Sequence, residues 1–475
     1  MAAVPEDLRG LQAALVERER EIAKLKSQIN NLKGRGSCDQ LLDEGVPVCE
    51  QREKVLALPR RTTLSRDQIG RYSRQLVLPE FGVQGQLRLA NTAVLVVGCG
   101  GLGSPLAQYV AAAGIGAVLH VPRGRLGLVD HDVVEVDNLH RQVLHSERRL
   151  GWSKARSAAH TVEQLNSDVD CIPYHLELCA SNAVELIKQY DIVADCSDNV
   201  PTRYLVSDAC VLAHVPLVSA CALRMEGQLT VYCHKGGPCY RCIYPDPPSP
   251  DTVTNCADGG VLGVVPGVMG SLQALEVLKI AADMNSSYSE RLLLFDGLSG
   301  RFRTVRLRGH QKHCIACGDS PLIPPLPDYE SWCGTTANDK CRHLMLLNKE
   351  ERIGVQDYKE VLDKGKPHLL LDVRPAVEFE ICHISHAIHM PLEHLEMRNH
   401  QAVENLQELV LQEISKLPSN NASLPVFIIC KQGNDSQKAV LLLREFLAAE
   451  PVTLMDIQGG LTAWAACVDL TFPQY

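Results

Sequence analysis

The sequence has no surplus of basic residues: 47 lysines and arginines face 56 aspartates and glutamates, a net charge of −9. A chain of this balance offers no cationic field to a nucleic-acid backbone or an anionic bilayer, and no direct contact with either is expected. An export signal is missing as well, because Met1-Ala-Ala-Val-Pro-Glu-Asp7 puts acids where bases and an apolar core are needed. So is a long uncharged apolar run. The nearest candidate, residues 261–282, is interrupted by Gln273, Glu276 and Lys279 and makes a poor membrane span. With no export signal, the 19 cysteines read as thiolates, zinc ligands or buried fillers rather than a disulfide framework. A reducing cytosol is the expected location.

What is present is ordinary globular material: 475 residues, 45% hydrophobic and 22% charged, enough for two or three domains with real cores. Leu8, Leu11, Leu15, Ile22, Leu25, Ile29 and Leu32 step alternately by three and four residues, apart from the position held by Arg18. That pattern is an amphipathic helix or short coiled coil, and with the linker behind it accounts for residues 1–58. Residues 59–318 alternate apolar strands with helical stretches, the pattern of an α/β domain with a parallel-rich sheet covered by helices. Strands are expected at 93–97, 126–129, 192–195, 217–219, 229–232 and 292–295. Four prolines within 321–327 mark 319–340 as a stiff linker. A smaller α/β domain occupies 341–475, with strands at 368–373, 426–430 and 453–457 and helices near 355–362 and 436–449.

The first domain is organised around Gly98-Cys-Gly-Gly-Leu-Gly103, which follows the buried strand 94–97. Gly98, Gly100 and Gly103 have the G-x-G-x-x-G spacing, with Gly101 between them; such a loop turns tightly and aims the next helix's amides at a phosphate. Asp130 ends the second strand where the fold usually holds a ribose hydroxyl. Asp137-Asn-Leu-His-Arg-Gln142, Lys154 and Asp195-Cys-Ser-Asp-Asn199 follow. A nicotinamide oxidoreductase needs only the glycines and Asp130. A nucleoside triphosphate needs the cations for its phosphates and a carboxylate for magnesium.

These stretches, with Arg71-Tyr-Ser-Arg-Gln75 and Arg224-Met-Glu-Gly-Gln228, resemble the ubiquitin-activating (E1) superfamily, in particular the bacterial enzymes that activate small sulfur-carrier proteins. The resemblance implies that Asp130 holds the ribose of ATP and that Asn138, Arg141 and Lys154 hold its phosphates. It implies further that Asp137, Leu139, His140 and Asn199 complete the nucleotide-binding set and that Asp198 binds Mg²⁺. Arg74 would reach across a homodimer to the partner's ATP. The reaction implied is attack of a carrier's C-terminal glycine carboxylate on the α-phosphorus, giving an acyl-adenylate and pyrophosphate. Positioning and charge neutralisation are most of what such chemistry asks of a protein.

Cys239-Tyr-Arg-Cys242 and Cys314-Ile-Ala-Cys317 are two short knuckles that supply the four thiolates of a structural Zn²⁺ site. Cys256 lies in a polar, glycine-ended stretch, Thr252-Val-Thr-Asn-Cys-Ala-Asp-Gly-Gly260. In the resembling family a cysteine there receives the acyl group as a thioester or takes part in sulfur transfer. Farther on, Phe427-Ile-Ile-Cys-Lys-Gln-Gly-Asn-Asp-Ser436 puts Cys430 at the end of a buried strand before a helix, where converging amides and Lys431 stabilise a thiolate or persulfide. With Leu370-Leu-Asp-Val-Arg374 and Gly459-Gly-Leu-Thr-Ala-Trp464 this resembles the rhodanese (sulfurtransferase) domain, with Cys430 at the persulfide position. Asp435 adds negative charge to the loop, so a protein persulfide such as that of a cysteine desulfurase is the expected donor, ahead of small anions.

An E1-like domain joined to a rhodanese domain resembles the eukaryotic adenylyltransferase–sulfurtransferases of molybdenum cofactor synthesis and tRNA thiolation. The acceptors implied are two ubiquitin-fold carriers, the small subunit of molybdopterin synthase and the ubiquitin-related modifier. One stretch departs from the pattern. Asp130 lies 27 positions after Gly103, against about 20 in the usual arrangement. Ala117-Val-Leu-His-Val-Pro-Arg-Gly124 therefore reads as an insertion. Its strand-like first half competes with 125–130 for the place beside 94–97, and if it won, a non-catalytic scaffold with a disturbed ATP site would result. The loop reading is favoured, because only the second segment ends in the acid and Pro122 stops the first from extending.

Overall fold

The computed structural model describes residues 62–117, 124–253, 259–323, 325–337, 344–417 and 423–475. The N-terminal heptad segment, Cys256 and residues 118–123 of the insertion lie outside the described residues. The chain divides into two units, Met1–Asp339 and Lys340–Tyr475.

The first unit is built on an eight-stranded sheet of order β3-β2-β1-β4-β5-β6-β7-β8. Its strands are β1 (Ala93–Val97), β2 (Arg125–Val129), β3 (Cys171–Tyr174), β4 (Ile192–Asp195), β5 (Leu217–Leu223), β6 (Glu226–Tyr232), β7 (Arg291–Asp296) and β8 (Arg301–Arg306). Pairing is parallel from β3 through β5 and antiparallel from β5 to β8. β1 is buried along its whole length because helices cover both faces. Val94 and Val96 point into one core cluster, and Ala93, Leu95 and Val97 into the other, as the period of two requires.

The helix Val264–Ala281 is, among the described residues, the one long and apolar enough to cross a membrane. It lies against the sheet instead: Met269, Ala274 and Val277 join the core. Its Gln273 donates to the carbonyls of Asp195 and Val218, each at 2.8 Å; Glu276 accepts from the Ser286 hydroxyl at 2.6 Å and the Ser287 amide at 2.9 Å, and Lys279 donates to the Ser287 hydroxyl at 2.6 Å. The polar residues that spoil it as a membrane span are those that fasten it to the fold.

β2 settles the competition raised by the insertion. Residues 125–129 pair in register with 93–97, Ala93 opposite Arg125 and Val97 opposite Val129, so Asp130 emerges beside the glycine loop. Ala117, expected to belong to the insertion, is instead part of the fold: it is buried and bridges Val169. Gly116, at φ +67°, and Gly124 meet; a Cβ on Gly124 would lie 3.0 Å from the Gly116 Cα. The excursion begins and ends at one point.

Two edge strands escaped the sequence pattern. β3 is short and carries Pro173, and β8 (Arg-Phe-Arg-Thr-Val-Arg) is exposed throughout, with bases where an apolar face would be expected. The expected linker 319–340 also needs correction. Its described part is a strap packed on the first unit. Ile323 is buried among the four cysteines, Asp328 caps the helix Tyr329–Cys333, and the Tyr329 hydroxyl donates to Asp208 at 2.7 Å. The Arg241 guanidinium binds the same carboxylate at 2.9 Å and lies 4.1 Å from the Trp332 ring. Prolines keep the segment extended, but its aromatic residues hold it down.

The second unit has a five-stranded, wholly parallel sheet of order β11-β10-β12-β13-β9. Its strands are β9 (Arg352–Ile353), β10 (Leu369–Asp372), β11 (Ile388–His389), β12 (Leu424–Ile429) and β13 (Val452–Ile457). The central apolar strands are near their expected places, and the helix Asp435–Phe446 starts one residue earlier than expected.

Deleting residues 118–123 should leave ATP affinity equal or better and thermal stability equal or higher, since the flanks already meet and a shorter loop costs less entropy to close. Calorimetry and nucleotide titration check this; a variant that unfolds or binds ATP more weakly would show the segment to be integral.

Candidate functional site

At the carboxyl end of β1 the backbone turns back on itself. Gly98 has φ +97°, and a Cβ there would lie 2.8 Å from the Cys196 carbonyl. A Cβ on Gly103 would lie 2.0 Å from the Gly98 carbonyl, so no side chain fits at the start of the helix Gly103–Ala112. The Gly98 amide is taken by the Val129 carbonyl at 2.9 Å, and the turn carries no side chain at Gly98, Gly100, Gly101 or Gly103, the form of a phosphate-binding loop.

Asp130 closes the loop from β2. One carboxylate oxygen accepts from the Cys99 amide and the other from the Asp132 amide, each at 2.8 Å. Burial raises its carboxyl pKa, opposed by nearby Lys154. Lys154 is itself buried and donates to Asp132 at 2.8 Å; burial pulls its ammonium down, but Asp130 and Asp132 outweigh that and raise it. His145, missed in the sequence, supports the loop from beneath. Burial pushes its imidazole down to about 4. The neutral ring donates Nε2–H to the Cys99 carbonyl at 3.0 Å, since a carbonyl can only accept, and Nδ1 accepts from Ser157 at 2.9 Å.

Asn138 is buried in the 3₁₀ turn Val136–Asn138 and donates to Asp137 at 2.9 Å. Arg141 binds the Asp137 carbonyl and meets the His140 ring, each at 2.9 Å, while Leu139 is half-buried and His140 and Asp137 are exposed. Gly101 approaches the Arg141 side chain, a Cβ there lying 3.6 Å from its Cγ, so turn and loop form one rim. Asp198 stands exposed just beyond β4, within the electrostatic reach of Lys154. Two buried polar atoms on this rim, Ser104 Oγ and Gln142 Oε1, find no hydrogen-bond partner among the described residues. Neither residue was singled out from sequence, though Gln142 ends the Asp137-Asn-Leu-His-Arg-Gln motif. The Ser104 hydroxyl beside the glycine cradle can donate to a phosphate oxygen, while Gln142 Oε1 can only accept and suits a nucleotide hydroxyl or amino group.

Two expected nucleotide residues, Asn199 and Arg74, make other contacts within the chain. Asn199 caps the helix Val200–Ala213, accepting from the Thr202 amide at 2.9 Å and donating to the Ala337 carbonyl at 3.1 Å. Its side chain is engaged by backbone at the carboxyl end of β4, directly after Asp198. Arg74 is exposed on the helix Arg66–Leu76, whose Gln75 donates to the Ala113 carbonyl. That carbonyl is at the far end of the helix that starts at Gly103, about 15 Å from the loop at 1.5 Å per residue. Within one chain, Arg74 is not brought to the site.

The four knuckle cysteines converge. Cys239 Sγ is 3.8 Å from Cys242 Sγ and 3.6 Å from Cys314 Sγ, and Cys242 Sγ is 3.4 Å from Cys317 Sγ. Sulfurs arranged tetrahedrally about zinc at ~2.3 Å stand roughly 3.8 Å apart, so the set fits such an ion. Hydrogen bonds among the four sulfurs hold the Cys242 and Cys314 thiols down and push Cys239 and Cys317 up.

In the second unit Cys430 follows β12 and is buried. Its sulfur accepts from the Gly433 amide at 3.1 Å and lies 3.2 Å from Ser436 Oγ. Burial pushes the thiol up, while Ser436 and the Gly433 amide oppose this and Asp435 adds to it. The Lys431 ammonium lies 4.6 Å from the Tyr475 ring. Arg374 is held by Asp372 through Nε at 2.9 Å, and its Nη1 donates to the Tyr475 hydroxyl at 2.5 Å. The arrangement can hold one sulfur anion at the mouth of a parallel sheet.

The ThiF family model matches residues 72–316, and that of the rhodanese-like domain matches 354–467. A Danio rerio protein named adenylyltransferase and sulfurtransferase MOCS3 is 57% identical over 471 residues, covering 98% of each chain. Its Mus musculus namesake is 57% identical over 476 residues, covering 100% of each. The solved structure of Escherichia coli MccB is 23% identical, covers 55% of this chain and 75% of its own, and has a TM-score of 0.46.

His145 gives this site a pH signature. An imidazole near 4 in the fold and near 6.5 when unfolded contributes stability that is complete above about pH 6.5 and is lost as pH falls toward 4, to a ceiling of about 3 kcal/mol. Denaturant unfolding of His145→Gln should therefore show a flatter stability profile across that window; a slope equal to wild type would contradict the assignment.

Proposed function

The chain belongs to the ThiF family and continues into a rhodanese-like domain, and from that premise we propose how its two units divide one reaction. It is an adenylyltransferase and a sulfurtransferase that activates a sulfur carrier. The observation that carries the reading is that one chain holds both a side-chain-free phosphate cradle and a buried thiol facing a loop amide.

In the first unit the loop at 98–103 receives the ATP phosphates, Asp130 the ribose, and Asn138, Arg141 and Lys154 the charge that develops as pyrophosphate leaves. Asp198 would hold Mg²⁺, which neutralises triphosphate charge when bound. A carboxylate oxygen of the carrier's C-terminal glycine attacks the α-phosphorus, and the acyl-adenylate forms. Arg74 completes the site from a second copy in a homodimer. The four knuckle cysteines bind Zn²⁺ and tie the strap back to the middle of the domain. Cys256 either accepts the acyl group as a thioester or serves as the second thiol of sulfur transfer.

In the second unit Cys430 takes sulfur from a cysteine desulfurase persulfide. The terminal sulfur then attacks the acyl carbon and AMP departs, leaving an acyl disulfide. A second thiol attacks the Cys430 sulfur, forming a disulfide with it as the thiocarboxylate leaves, and an external dithiol reductant returns Cys430 to the thiol. Ubiquitin-fold carriers serving molybdopterin synthesis and tRNA thiolation in the cytosol are the substrates. A scaffold without catalysis has lost its ground, because β2 rather than the insertion stands beside β1 and Asp130 meets the glycine loop.

Cys430→Ala should keep carrier-dependent ATP–pyrophosphate exchange and lose thiocarboxylate formation. Asp198→Ala should lose exchange by on the order of a hundredfold, and thiocarboxylate formation with it, while Cys430 still loads sulfur. Thiocarboxylate from the first variant, or near-normal exchange in the second, would overturn these assignments.

A further inference from the structure

Cys430 is the third member of a hydrogen-bonded row that crosses the second unit beneath the sulfur. Ser436 Oγ lies 3.2 Å from Cys430 Sγ and 2.5 Å from Asp456 Oδ1. The other Asp456 oxygen pairs with Arg352 at 2.7 Å. Cys430, Ser436 and Asp456 are all buried, Ser436 and Asp456 completely. An acid inside an apolar parallel strand costs stability unless it is paired, and one arginine pair already satisfies its charge. The contact to Ser436 needs another account.

A serine hydroxyl has one hydrogen, and it cannot be given to Cys430 and Asp456 at once. At 2.5 Å from a carboxylate, Ser436 donates to Asp456 in a charge-assisted bond. Toward Cys430 it can then only accept, so the resting site is S–H to hydroxyl to carboxylate. The same heavy-atom positions serve the opposite arrangement, in which a protonated Asp456 donates to Ser436 and Ser436 donates to a thiolate. We propose that Ser436 and Asp456 form a proton relay that takes up the Cys430 thiol proton when the sulfur becomes a nucleophile. The Cys430 S–H bond breaks, an O–H bond forms on Asp456, and Ser436 gives up one proton as it gains another.

The relay moves one negative charge from carboxylate to sulfur without adding charge to a buried site. Simple ionisation would instead leave two anions there, Cys430 and Asp456, with Asp435 close by. The other charged groups around the sulfur are already engaged: Asp372 with Arg374, Asp435 with Lys438, and Lys431 over the Tyr475 ring. Ser436 touches the reacting sulfur and is a catalytic residue on this reading. Asp456 acts through it and is a positioning residue. The proposal rests on Cys430 as the sulfur carrier.

The test is the rate at which iodoacetamide alkylates Cys430 in the full chain, read on its peptide by mass spectrometry between about pH 5.5 and pH 7.5. A shared proton keeps the reactive tautomer at a fixed fraction, so the wild-type rate should vary by less than about threefold across this range. In Asp456→Asn, which has no site for the proton, the rate should fall about tenfold for each unit that the pH is lowered. Ser436→Ala should lower the plateau at least about tenfold and Ser436→Thr should restore it, a pair that carries the test if Asp456→Asn does not fold. A wild-type rate falling tenfold per unit, a plateau that survives Asp456→Asn, or one unmoved by Ser436→Ala would overturn the relay. Failure of Cys430 as sulfur carrier is read separately, as thiocarboxylate formed by Cys430→Ala.

Discussion

Both sites depend on backbone approaching backbone more closely than a Cβ allows, at the carboxyl edge of a parallel sheet. In the first unit Gly103 sits against the Gly98 carbonyl, where a Cβ would come within 2.0 Å. In the second, Gly460 at φ +55° sits against the Cys430 carbonyl, where a Cβ would come within 2.3 Å, and Gly433 turns at φ +83°. Each contact folds the chain sharply just after a buried strand, and in the second unit it turns the Gly433 amide onto the Cys430 sulfur. Parallel strands end together at one edge, so neighbouring strands deliver the groups that complete each site. Asp130 arrives from β2 and Asp456 from β13.

Around these cradles, buried charge is held by an opposite charge or by hydrogen bonds, as Asp195 is by Ser197 and Ser219. Arg374 is held by Asp372, Arg352 by Asp456, and Arg241 by Asp208 with Tyr329. Removing one partner from such a pair typically costs about 3–5 kcal/mol, because the other is left charged in the interior. The pairs also fix geometry. Asp208–Arg241 joins the zinc-type knuckle to the strap, and Arg352 reaches from β9, the edge strand, to the acid behind Cys430. Stability and site geometry are therefore carried by the same contacts.

Much of this was legible in the sequence. Runs such as Ala93-Val-Leu-Val-Val97 carry fold and site together, since two-sided burial and a following glycine loop leave few alternatives. The paired Cys-x-x-Cys spacing foretold a cluster that the fold closes across long separation. Other features carry no local signal. β8 is a strand because β7 offers it an edge, although its own residues are exposed and basic. His145 and Asp456 matter through what the fold places beside them, a Cys99 carbonyl and a Ser436 hydroxyl, and neither neighbour is close in sequence. The strap at 319–337 was misjudged because its prolines announce a linker, whereas Ile323, Tyr329 and Trp332 bury it. Asn199 sits inside a motif, and its amide also caps a helix.

The central claim is that adenylation in one unit prepares the acyl carbon for sulfur carried by the other. A carrier whose C-terminal carboxylate bears heavy oxygen at both positions tests this directly, incubated with ATP, magnesium and a persulfide donor. The attacking oxygen should leave in AMP and the other should remain in the thiocarboxylate, one label in each product. Unlabelled AMP, or a thiocarboxylate formed while ATP stays intact, would contradict the account.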